Sequence, residues 1–92
     1  MDEDTINRAS AIRIISNYRD ELVADKYKES TESLAARVYA CEELIFLIKT
    51  FDDPPLEIIE NFGRKMKAYS QAYRYFSDAV LACEVICALL GG

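Results

Sequence analysis

The sequence predicts an all-α fold, an antiparallel bundle of three helices in which the last is much the longest. Three observations predict it. Apolar residues recur at steps of three and four over three separate stretches. Glycine and proline together number five, and four of these sit at chain ends or junctions, so element interiors are almost free of breakers. Finally, Ile59, Phe62, Met66, Tyr69, Tyr73, Phe76, Val80, Cys83, Cys87 and Leu90 follow an unbroken a/d pattern, about four heptads long. With 92 residues the chain is a single domain, residues 1–92. A chain of this size buries only about 60–65% of the surface it exposes when unfolded, so its own core is modest.

The first helix is expected over about residues 5–28, with Thr5 or Asp4 as N-cap. Ala11, Ile15, Tyr18 and Leu22 form its inner stripe, and Ile12, Ile14 and Val23 widen that stripe enough to meet two neighbours. The polar run Lys28-Glu29-Ser30-Thr31 is a short link, which makes the next helix an antiparallel neighbour. That second helix covers about residues 31–51, capped by Ser30 or Thr31, with Leu34, Val38, Cys41, Ile45 and Ile48 as its stripe. Leu44 to Ile48 are apolar on every side, and such a turn has to be covered from several directions.

Asp52-Asp53-Pro54-Pro55 marks a boundary, because proline disfavours helical geometry in the residue before it and suits a helix start. Asp53 is the expected N-cap of a third helix over about residues 54–90. Gly63 flanks the seam, but the heptad phase passes through it without a slip, which favours continuity. The alternative is a four-segment bundle with a break near Gly63. A continuous helix of about 36 residues is about 54 Å long, against about 33 Å for each of the first two. Its end then projects beyond the bundle, with Leu81, Val85, Ala88 and Leu89 at outer positions. Such a surface does not stay in water. A second copy is therefore expected to bury Val80, Leu81, Val85, Ile86, Leu89 and Leu90, giving a homodimer or higher homo-oligomer. Paired Glu substitutions at Leu81 and Val85 should then yield a folded, less stable monomer.

Composition narrows the function. The formal net charge is −5, which argues against free nucleic acid as a ligand. The N-terminus lacks the basic start and apolar core of a secretory signal, so a cytoplasmic location is expected. The longest nearly apolar run, Ala79 to Leu90, is interrupted by Glu84 and falls short of the roughly 20 residues a membrane span needs. Cys41, Cys83 and Cys87 lie at inward positions and read as reduced, small buried hydrophobes. Without histidine or a CxxC pair they do not suggest a metal, and no cofactor is expected. The lack of histidine also removes Ser–His–Asp and Cys–His catalysis, and there is no glycine-rich phosphate loop. The expectation is a protein that is not an enzyme.

One stretch stands apart from the acidic background. Between Asn61 and Ser77 there is no Asp or Glu, while Arg64, Lys65, Lys67 and Arg74 supply four positive charges, leaving −9 for the remainder (−5 − 4). Arg64, Lys67, Gln71 and Arg74 step by three and four along one outer face, interleaved with Phe62, Tyr69, Tyr73, Tyr75 and Phe76. Cations beside aromatic faces can hold a phosphate and stack a base. Arg64, Lys67, Gln71, Arg74 and Tyr75 are thus the candidate ligand residues. Against this, Glu60 can pair with Arg64 and Asp78 with Arg74 at four-residue spacing, leaving a plain solvated face.

Three functional readings follow. The first is a non-enzymatic protein-interaction module, an inhibitor or adaptor, that self-associates through its last helix and binds or blocks a partner. The second is a binder of a nucleotide-like or other anionic small ligand at residues 64–75. The third is an acidic mimic of nucleic acid that occupies a basic groove on a partner protein.

Overall fold

In a computed structural model of the chain, which describes residues 7–24 and 31–91, the helices number four. They are α1 (Arg8–Val23), α2 (Thr31–Thr50), α3 (Pro55–Ser70) and α4 (Tyr75–Gly91). Asn7 starts α1. Its side-chain oxygen accepts from the backbone N–H groups of Ala9 at 2.7 Å and Ser10 at 3.3 Å, which satisfies two otherwise unpaired donors. The expected caps Asp4, Thr5 and Ser30 lie outside the described residues, as does the stretch from 25 to 28. The inner stripe of α1 is the expected one: Ala11, Ile15, Tyr18 and Leu22 are all buried.

The arginine at the start of α1 fastens the opposite end of α2. Arg8 donates to the carbonyls of Ile48 at 2.8 Å, Phe51 at 2.7 Å and Asp53 at 3.0 Å. These carbonyls belong to the last turn of α2 and the junction after it, where no further helical N–H can reach them. Asp53 is therefore held through its backbone and does not cap α3. Pro54 takes the cap position with no side-chain bond, and Pro55 fills the first turn, where its missing N–H costs nothing. Arg8→Ala is expected to remove about 1–2 kcal/mol of stability, read as a lower urea midpoint. Arg8→Lys should recover only part of it, since an ammonium cannot fork across three carbonyls. An unchanged midpoint in Arg8→Ala would show the clamp to be idle.

The largest departure from expectation lies after α3. The third helix is not continuous, and the break is not at Gly63. The helix stops at Ser70, and the chain reverses through residues 71–74. Ser70 Oγ donates to the Lys67 carbonyl at 2.6 Å, and the N–H groups of Gln71 and Ala72 bond three residues back, to Ala68 and Tyr69. These shorter closures tighten the last turn and end it. Burial decides the outcome. A straight helix would leave its end wet, whereas the reversal lays α4 against α2 and α3 and buries Ala79, Ala82, Cys83 and Ile86. The long axis of the described fold is 41 Å, shorter than the continuous helix alone would be.

Gly63 sits inside α3, facing α4. A Cβ added there would lie 3.7 Å from Cys83 Cβ and 3.9 Å from its Sγ, which is ordinary contact. Neither a turn nor tight packing demands this glycine, and in a helix interior it costs about 1 kcal/mol relative to alanine.

α2 packs on all three other helices, as α4 does, and buries Leu44, Ile45 and Ile48, while Phe46 in the same apolar turn stays exposed. α2 packs on α4, and Ala40 of α2 and Ala79 and Ala82 of α4 are all at zero exposure. The residues expected under a second copy divide in this arrangement. Ile86 is buried by the chain's own helices, and Val80 and Leu90 pack partly against the core. Leu81, Val85 and Leu89 remain 44%, 36% and 48% exposed in one row along α4.

Candidate functional site

The reversal at 71–74 builds an aromatic cluster. It draws Tyr69 from α3, Tyr73 from the turn, and Tyr75 and Phe76 from the start of α4 to one end of the bundle, next to Tyr39 of α2. The ring centroids of Tyr75 and Phe76 are 5.2 Å apart, edge to face, and those of Tyr69 and Phe76 are 5.4 Å apart. Tyr73 meets Phe76 at 6.3 Å, while Tyr39 meets Phe62 at 6.3 Å and Tyr75 at 6.4 Å. Tilted and edge-on contacts at these distances are the favoured geometry for aromatic quadrupoles. Phe62 is the buried anchor of this set. Tyr69 and Tyr73, placed in the core by the heptad pattern, are instead 47% and 66% exposed. The result is a surface of four partly exposed tyrosines, of which Tyr69, Tyr73 and Tyr75 meet on Phe76 and Tyr39 joins through Tyr75 and Phe62.

Tyr39 is the member that sequence spacing did not reveal. Burial, and next the nearby Glu43 carboxylate, push its phenol above the ordinary value of 10.0. It therefore stays a neutral donor at physiological pH. No local signal in α2 marks it, because its ring partners come from α3 and α4.

The predicted ligand residues are all exposed, but the fold separates them. The row Arg64, Lys67, Gln71 and Arg74 assumed helical spacing across residues 71–74, and the helix ends before it is complete. Arg64 and Lys67 line a groove of about 370 Å³ between α3 and α4. Arg74 and Tyr75 line a cleft of about 600 Å³ between the N-terminal ends of α2 and α4, shared with Glu32, Ser33, Asp78 and Leu81. Gln71 lines neither. The pairs expected to neutralise the patch do not form. Arg64 donates to the Asn61 side chain, and neither Arg64 with Glu60 nor Arg74 with Asp78 makes an ion pair.

The thiols are quiet. Burial above all holds Cys41 and Cys83 at about 12, and Cys87 is also raised, first by burial and then by Glu60 and Glu84. All three are free cysteines, uncharged at neutral pH and therefore poor nucleophiles and metal ligands. Among the described residues no group of three or more Cys, Asp and Glu is placed to hold a metal ion, and no helix is long and apolar enough to cross a membrane. No family model, curated protein or solved structure matches this chain significantly.

Proposed function

We propose that this helical domain is a non-catalytic binding module for an anionic, ring-bearing small ligand of the nucleotide kind, taken up at its tyrosine-lined end. The observation that carries the reading is that Arg74 and Tyr75 both line the α2–α4 cleft, and that Tyr75 belongs to the aromatic cluster through its ring contacts with Tyr39 and Phe76. Partly exposed tyrosine rings offer a stacking face that any base can use. Arg74, free of an ion pair with Asp78, supplies the cation for a phosphate. The carboxylates of Glu32 and Asp78 line the same cleft and can accept hydrogen bonds. They suit the exocyclic amino group of a base and disfavour a simple inorganic anion. A thermal-shift series with nucleoside mono- and diphosphates tests this. Ligand at a hundred times its Kd adds about 2.7 kcal/mol of stability by mass action. That gain should disappear in Arg74→Ser and in Tyr75→Ala. No shift with any nucleotide at millimolar concentration rejects the reading.

A second reading, self-association through α4, is favoured by the exposed row Leu81, Val85 and Leu89. Four-residue spacing puts the three side chains on one side of the helix, the geometry of a helix-to-helix seam. A protein that sediments as a monomer at tens of micromolar rejects it.

A further inference from the structure

The two walls of the α2–α4 cleft differ in make. Arg74 immediately precedes α4, and its carbonyl accepts the Ser77 N–H at 2.9 Å, which ties it to the first turn of that helix. Asp78 follows Tyr75 by three residues and Arg74 by four, a spacing that puts the three side chains on one side of the turn. The other wall is the start of α2, with Glu32 and Ser33. The lining thus holds one cation, two carboxylates and the hydroxyls of Ser33, Tyr75 and Ser77. Among the described residues it has no amide side chain. The hydroxyls can turn to donate or accept, whereas the carboxylates, once ionised, only accept.

Position divides the roles. Arg74 takes the phosphate, and Tyr75 offers its ring to the base. Asp78, one turn from Arg74, stands beside the phosphate. Glu32 stands on the other helix, is exposed, and has the longer side chain. It is the carboxylate left for the far edge of the base.

An acceptor-only group sorts the bases. Guanine presents two donors side by side, N1–H and the 2-amino group, and the two oxygens of one carboxylate can take both in a bidentate, charge-assisted pair. Adenine and cytosine present an amino group beside a ring-nitrogen lone pair. Uracil presents one N–H between two carbonyls. Each of these three sets an acceptor against the second carboxylate oxygen, and that repulsion discriminates against it. We infer that the cleft selects guanine, with the Glu32 carboxylate accepting from N1–H and the 2-amino group. The inference rests on the cleft being a nucleotide site.

Nucleoside monophosphates are the probes, since the single cation of the cleft matches a single phosphate. In titration calorimetry with the full chain, GMP should bind at least tenfold more tightly than AMP, CMP or UMP. IMP, which keeps N1–H and lacks the 2-amino group, should fall between GMP and AMP. Glu32→Gln should bring GMP down to the affinity of AMP while AMP binds at least as tightly as before, so a misfolded protein cannot account for the loss. Asp78→Asn should keep the preference for GMP. Equal binding of the four monophosphates overturns the guanine assignment and leaves the nucleotide reading standing. A preference for GMP that survives Glu32→Gln, or that is lost in Asp78→Asn instead, overturns the assignment too. Binding of none of them rejects both.

Discussion

Ile86→Glu is expected to abolish the fold, and Leu81→Glu to leave it standing. The two positions lie on the same helix, five residues apart, and both are apolar in sequence. Ile86 has zero exposure and belongs to the central cluster formed by all four helices. A glutamate there loses the packing of a buried isoleucine, about 2–5 kcal/mol. It also places an unpaired carboxylate in a dry interior, which costs several kcal/mol more. A domain of this length has roughly 5–14 kcal/mol of total stability, so the variant should show no cooperative melt in circular dichroism. Leu81 is 44% exposed, and its glutamate can reach water. Its effect on the monomer should stay below about 1 kcal/mol. If Leu81 also sits in a seam between copies, the same change should lower the sedimenting mass. A near-normal melt for Ile86→Glu would mean that α4 does not lie in the core.

The second large effect is at the centre of α2. Leu44→Ala should cost about 2–5 kcal/mol, since the side chain is fully buried in the core cluster. In a domain of this size each kcal/mol lowers the melting temperature by about 4–8 °C. Phe46→Ala removes a larger side chain two residues later, yet Phe46 is 58% exposed and the change should be worth less than about 1 kcal/mol. The ordering runs against side-chain size, so melting curves of the two variants test the placement of α2 directly. A greater loss at Phe46 would require α2 to be rotated about its axis.

Much of the fold was legible in the amino-acid pattern because local rules and burial agree there. The stripe Ala11, Ile15, Tyr18 and Leu22 is polar on its far side, so only one face can turn inward. Pro54 and Pro55 announce the start of α3 through backbone geometry alone. The apolar turn of α2 implied several neighbours; the helix has three, but Phe46 in that turn is left exposed. The reversal at 71–74 was not legible. The run Gln71-Ala72-Tyr73-Arg74 contains no glycine, proline or asparagine, and its tyrosine is apolar enough to keep the heptad phase intact. What breaks the helix is a gain made elsewhere, in the burial of α4 against α2, and no local signal records it. The candidate site inherited that error. Arg64 and Arg74 stand on one helical face only if the helix continues, and Tyr39 joins the other tyrosines only because it does not.

The reversal also governs how the chain finds its structure. By ending α3 at Ser70 it pairs α3 with α4 across a link of only a few residues, just as α1 pairs with α2. Each helical hairpin can form from neighbours along the chain, so little loop-closure entropy is spent before contacts form. The main distant encounter left is α2 meeting α4, the step that docks one hairpin on the other. Folds dominated by such local pairings reach the native state in microseconds to milliseconds. A single straight helix would have had to wait for a second molecule to cover its end, at a rate set by concentration. Four residues of turn make the closing of this core an event within one chain.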